Sequence, residues 1–274
     1  MKYILFLFFG TLMFSQNHRF IYEVSYKKDS LSADITKENY HLDIDVDGIM
    51  YYNRMYYIND SLFTTKKEYG FGGFKLTSFI TKKSKEETYH NYEYIGDVNF
   101  YEITGIPEQN WKLGDSIRIF NGFKVQNATA EFGGRKWTAW FCNNIPFPYG
   151  PYKFHGLPGL IMELEDTKGD YHFEVIKSEN HYPKYERFSL ENSISRSIPI
   201  NQKKLNKLKI ELYENPFKYV LNGQLEIPEG QKLMLDDGTI LSKSELKPAE
   251  KREREKMKAD NNPIELDKAV KYPD

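Results

Sequence analysis

The sequence predicts a mostly β protein: a large curved antiparallel sheet or half-barrel, one or two short helices and a charged C-terminal tail. Three observations predict it. Aromatic residues make up 16% of the chain, with 21 Tyr and 19 Phe, types that suit a pleated, half-buried surface. Apolar and polar residues alternate with period two in several short runs. Tight glycine-containing turns separate those runs, and turns that short join antiparallel strands.

The chain opens with Lys2, an apolar run from Tyr3 to Met13, and the small residue Ser15. That layout predicts a secretory signal over residues 1–15. The run is shorter than the roughly 20 residues a membrane helix needs, so the working protein is expected to begin near Gln16. The one cysteine, Cys142, stands far from the cut, which argues against a lipid anchor. The expected product is periplasmic or outer-membrane-associated, less so fully extracellular, with the signal engaging the export machinery.

A β domain is expected over residues 16–241. Phe20, Tyr22, Val24 and Tyr26 alternate with polar neighbours and predict the first strand. Leu42, Ile44 and Val46 alternate with Asp43, Asp45 and Asp47, which reads as a strand with a solvated acidic face. Asp47-Gly48 predicts a hairpin turn, with Ile49 to Ile58 returning. Phe63 to Glu68, Lys75 to Lys82 and Glu86 to Tyr94 continue as strands, with a bend at Phe71-Gly72-Gly73-Phe74.

Ile103 to Gly114 reads as a connection. Ile119 to Phe132 and Arg135 to Phe141 form a hairpin closed by Gly133-Gly134, and Leu160 to Leu164 and Tyr171 to Lys177 form another. Leu205, Leu208 and Leu212 recur at helical spacing, predicting a helix over Asn201 to Tyr213. In the expected tail, 242–274, Glu245 to Lys258 is dense in charge and reads as a solvated helix or a disordered segment.

Leu157-Pro158-Gly159-Leu160 predicts a type II turn: Pro158 presets its own φ and Gly159 takes the positive one. Gly150, Pro151 and Gly156 bracket the approach, and the turn throws two leucines inward. It serves either as a rigid corner that sets strand register or as the rim of a binding site.

The stretch Gly156-Leu157-Pro158-Gly159-Leu160-Ile161 resembles the signature of the GLPGLI family, exported proteins of Bacteroidota. Ala128-Thr129, Gly134-Arg135-Lys136-Trp137-Thr138-Ala139-Trp140-Phe141, Ile145-Pro146, Gly150-Pro151 and Asn262-Pro263-Ile264-Glu265-Leu266 are similar to the family pattern too. Where many members carry a cysteine this chain has Val125, so Cys142 lacks that partner, which favours a buried free thiol over pairing with another chain. The resemblance implies an envelope protein of unestablished function and supplies no active site. Asp29-Ser30-Leu31, Asp60-Ser61-Leu62 and Asp115-Ser116-Ile117 match a short O-glycosylation pattern of Bacteroidota.

A net charge of -1, from 38 basic and 39 acidic residues, gives nucleic acid no attraction through overall charge. His155, His172, Glu163 and Glu174 lack metal-ligand spacing, so no metal is expected. Gly-x-Ser-x-Gly, His-Glu-x-x-His and a phosphate-cradling glycine loop are missing; neither catalysis nor a cofactor is expected. Arg135, Trp137, Ala139 and Phe141 fall on one strand face and Trp140 on the other. Trp137 and Trp140 with Tyr149 and Tyr152 either line an apolar or sugar-binding cleft or lie buried between layers. The expected function is non-catalytic binding of a hydrophobic ligand or a partner protein in a sheet cleft. The alternatives are a structural or interaction module of the envelope and an unrecognised hydrolase.

Overall fold

The computed structural model describes residues 17–66, 77–96, 99–180, 187–228, 230–235 and 238–273. The expected signal segment and the bend at Phe71 to Phe74 lie outside them. Chain order begins β1 (His18–Tyr26), β2 (Thr36–Asp45), β3 (Gly48–Asn53), α1 (Arg54–Lys66), β4 (Phe79–Lys83), β5 (Tyr89–Tyr94) and β6 (Phe100–Gly105). It continues with β7 (Lys112–Phe120), β8 (Phe123–Phe132), β9 (Arg135–Cys142), β10 (Leu160–Asp166) and β11 (Tyr171–Asn180). Then come α2 (Phe188–Ser195), β12 (Ile198–Pro199), α3 (Gln202–Glu214), α4 (Lys218–Leu221), β13 (Leu233–Met234), β14 (Ile240–Leu241) and α5 (Leu246–Ala259).

Twelve strands form one open sheet in the order β12-β6-β5-β4-β3-β2-β1-β11-β10-β9-β8-β7. Pairing is antiparallel except between β12 and β6. The mostly β, antiparallel class is as expected. The described residues hold five α-helices where one or two were expected. Residues from β5 and from the β8–β9 turn line one cleft, so the sheet curls towards itself.

Both short hairpins after β7 follow from backbone chirality. Gly133 and Gly134 take φ of 62° and 76°, the positive pair that matches the twist of antiparallel strands. Asn121 and Gly122 do the same at 49° and 82°. This second turn splits the strand expected over Ile119 to Phe132, and β6 and β7 extend into the expected connection.

The return strand expected to reach Ile58 ends at Asn53. The Asn53 side chain accepts from the Met55 N–H at 2.9 Å, capping α1, which also takes up the start of the strand expected from Phe63. Tertiary burial overrides the β preference of these aromatics: Tyr56 is fully buried and its hydroxyl donates to the Thr77 carbonyl at 2.6 Å.

The acidic face of β2 is not solvated. Asp43 is buried and takes two hydrogen bonds from Arg19, at 2.7 and 3.0 Å. Asp45 pairs with Arg187 at 3.0 Å. Next to them Met50, Tyr52, Tyr56, Phe79, Tyr92, Phe100 and Leu190 form a cluster on the outer sheet face. Both faces of β1 to β3 are therefore covered, and alternating acids there mark ion pairs.

On the inner face the main core packs Phe20, Tyr22, Leu42, Tyr51, Trp137, Phe141 and Phe173. Leu157 and Leu160 enter it as expected, at 1% and 0% exposure. The turn between them differs from the expected type II. Gly159 N–H donates to the Leu157 carbonyl at 2.8 Å, a three-residue turn about Pro158 whose fixed φ suits it. Gly159 is needed for space rather than for positive φ: a Cβ there would stand 2.1 Å from the Cys142 carbonyl oxygen.

Candidate functional site

The C-terminal segment after α5 returns to the sheet as a strap over the β8–β9 turn. Arg135 holds it. Its guanidinium donates to Asp166 at 2.8 Å, to Asn262 Oδ1 at 2.6 Å, and to the carbonyls of Pro263 at 2.9 Å and Ile264 at 3.1 Å. The Leu266 N–H donates to the Gly133 carbonyl at 2.6 Å. A Cβ on Gly133 would lie 2.8 Å from Glu265 Cα, so the glycine pair serves both turn and strap.

The strap, β5, β6, the β8–β9 turn, α3 and Tyr152-Lys153 enclose a cleft of about 770 Å³. At its strap end Glu265 is 7% exposed. Its carboxylate accepts from Lys153 Nζ at 2.6 Å and from the Tyr152 hydroxyl at 2.6 Å, and Lys268 pairs with it. On the opposite wall Glu93 pairs with Lys209 at 3.3 Å and accepts from Asn91 at 2.8 Å.

Burial alone would raise the Glu265 pKa, but Lys153, Lys268 and Tyr152 outweigh it and hold the carboxyl below its ordinary value. Burial pushes Lys153 below its own ordinary value, only partly offset by Glu265. Glu93 is also lowered, because Lys209 and Asn91 outweigh burial, and Lys209 is raised by Glu93. The cleft therefore presents fixed, paired charges beside apolar lining from Ile103, Phe132, Leu205 and Ile264.

Tyr152 adopts φ of 56°, a left-handed conformation that costs a non-glycine residue about 1–2 kcal/mol. Its hydrogen bond to Glu265 and its place in the cleft wall accompany that strain, a pairing common at binding sites.

The four aromatics named from the sequence do not share a wall. Trp137 is 1% exposed and packs on Phe154 at 4.8 Å in the inner core. Trp140 faces the other side, beneath Arg118 at 4.2 Å. Tyr149 forms a bridge with His155 and lies 5.8 Å from the Lys82 ammonium. Tyr152 alone lines the cleft. Among the motif residues, Gly150 makes room for Ile161, whose Cδ1 would meet a Cβ at 2.7 Å; Gly156 takes φ of 89°. Pro151 accepts from the Phe154 N–H at 3.1 Å, and Leu160 and Ile161 start β10 in the core. No cluster of metal-ligating side chains occurs among the described residues. Cys142 is free and fully buried.

Sequence reasoning missed Lys153, Glu265, Glu93 and Lys209. Glu265 stands inside the Asn262 to Leu266 stretch and Lys153 between Gly150-Pro151 and Gly156, but nothing local pairs residues 112 positions apart.

Residues 81–163 match a family model described as "Protein of unknown function (Porph_ging)". The matched segment runs from β4 to β10 and contains Tyr152, Lys153 and the Gly156 to Ile161 stretch. No curated protein matches the chain. The chain is similar to a structure of PNGF-II in space group P21, at 12% identity and a TM-score of 0.49, covering 68% of this chain and 32% of that one. A second, in space group C2, gives 14%, 0.48, 68% and 31%. The chain thus spans about a third of the length of those chains, and at this level of likeness no activity carries over. No described helix is long and apolar enough to cross a membrane.

Proposed function

We propose that this chain is an exported, non-catalytic binding protein of the cell envelope and that the cleft under the strap takes a polar, charge-bearing ligand. Lys2 and the apolar run from Tyr3 to Met13 support export. One observation carries the binding reading: Lys153, Glu265 and Tyr152 form a buried, charged group in the wall of a cleft of about 770 Å³. That volume lies within the roughly 300–1,000 Å³ of ligand sites. A purely hydrophobic ligand would desolvate those charges without giving hydrogen bonds back, so the lining favours a ligand with its own donors and acceptors over the hydrophobic one expected from the aromatic content. Full burial of Cys142 in the core gives the hydrolase alternative no accessible thiol.

Native mass spectrometry of the protein purified from its own envelope tests this. A polar adduct on the wild type, lost in Lys209→Glu, is the expected result. A bare mature chain, or a retained lipid, would overturn the reading.

A further inference from the structure

β6 is paired along its length on one side only. On the β5 side Tyr101, Ile103 and Gly105 stand opposite Glu93, Asn91 and Tyr89. On the other side β12 reaches Tyr101 and Glu102 and goes no further. The Ile200 N–H donates to the Glu102 carbonyl at 2.9 Å, so Glu102 turns its backbone groups away from β5. Thr104, two residues on in the same strand, turns its own N–H and carbonyl the same way.

Nothing in the chain follows β12 to meet them. Asn201 accepts from the Lys204 N–H at 2.8 Å and caps α3, which starts at Gln202. The backbone therefore leaves the edge before it reaches Thr104. The Thr104 N–H and carbonyl have no hydrogen-bond partner among the described residues.

This open edge lies in the cleft: Thr104, Gly105 and Ile106 are exposed and line it. Thr104 stands opposite His90, and Glu102 opposite Tyr92. Tyr92 belongs to the outer cluster, so by alternation the Thr104 side chain is on the outer face as well. What Thr104 turns to the cleft is its backbone. Asn91, Glu93 and Ile103 reach the cleft from the inner face, and Gln202, Leu205 and Lys209 reach it from α3.

We propose that the ligand of the cleft is a peptide in extended conformation, which adds a strand to β6 where β12 leaves off and bonds the Thr104 N–H and carbonyl through its main chain. This rests on the reading of the cleft as a ligand site. A peptide carries a donor and an acceptor at each residue, the complement of a strand edge, and side-chain pockets beside that edge supply specificity. Glu93 and Lys209 pair with each other, as do Lys153 and Glu265, so these walls ask no net charge of the ligand, and a peptide main chain has none. Alternate side chains of the added strand would point inward, where Ile103 and Leu205 lie beside the paired charges. A sugar would bond the same walls and leave the Thr104 N–H to water, which is the difference the test reads.

The test offers the whole protein a mixed-sequence library of hexapeptides, acetylated and amidated at their ends, and reads the retained peptides by mass spectrometry. The wild type should retain peptides, and Thr104→Pro should retain about tenfold less or lower still. A library N-methylated at every residue should not be retained. Peptide should also slow hydrogen exchange at the Thr104 amide and leave that of Ile103, which faces β5, unchanged. Proline is tolerated where the lost N–H faces an open edge; should Thr104→Pro fail to fold, the Thr104 amide of the wild type decides. No retained peptide, equal retention by Thr104→Pro, or a Thr104 amide that exchanges as fast with peptide as without would overturn the proposal. A wild type that retains no peptide but carries a polar adduct from its own envelope would remove this inference and leave the cleft reading standing; a bare chain that retains no peptide would remove both.

Discussion

Lys153 and His41 are buried titratable residues with opposite circumstances. Lys153 has a partner 2.6 Å away in Glu265. Lys153→Met leaves the buried Glu265 carboxylate with Lys268 and Tyr152 as its remaining partners; it should therefore lower the unfolding free energy by about 1–3 kcal/mol in a urea titration, and Glu265→Gln added to it should recover part of the loss. His41 has a folded pKa below its unfolded value of 6.5. Its neutral state is what folding favours, so its contribution is complete above pH 6.5 and falls as pH drops towards 3. The expected slope is about 1.4 kcal/mol per pH unit. Stability measured from pH 6.5 to 5 should fall more steeply in the wild type than in His41→Gln. Parallel profiles would show that His41 titrates normally. Neither residue was named from the sequence as a site: a lone histidine on a strand carries no local mark of its orphan nitrogen, and a motif lysine no mark of a distant glutamate.

Among the elements, the strap and the turn at Pro158 are the least forgiving. Arg135 spreads its donors over Asp166, Asn262 and two strap carbonyls, a fork that a lysine cannot reproduce. Arg135→Lys should cost about 2–4 kcal/mol and raise amide exchange along residues 262–268 well above that in β9. Gly159→Ala should cost more than the usual 1–3 kcal/mol of overpacking, because its Cβ would meet backbone at Cys142, which cannot swing aside. Thermal unfolding checks this. The hairpin closed by Gly133-Gly134 and the one joining Leu160 to Leu164 with Tyr171 to Lys177 were legible, since their turn glycines set φ locally. The turn at Asn121-Gly122 was equally legible, since Asn-Gly is a strong hairpin signal, and reading Ile119 to Phe132 as one strand passed over it; α1 was hidden by its tyrosines, which suit a strand until the outer cluster buries them.

At the scale of the molecule, composition and alternation were enough for the mostly β class and for antiparallel order. Curling of the sheet and return of the strap were not legible: the strap depends on contacts more than 100 residues apart in sequence, and the curl brings β5 and the β8–β9 turn to one cleft with no local mark in either. Three stretches, Gly134 to Phe141, Gly150 to Ile161 and Asn262 to Leu266, meet at the strap end of the cleft, the first two inside the segment that matches the family model. Their roles divide there: Trp137, Leu157 and Leu160 fill the core, Arg135 ties the strap, and Tyr152, Lys153 and Glu265 face the cleft. The most direct measurement is a crystal structure of the protein purified from its own envelope. The account predicts density for a polar ligand between the Lys153–Glu265 and Glu93–Lys209 pairs. A cleft closed by its own side chains, or one holding ordered water alone, would contradict it.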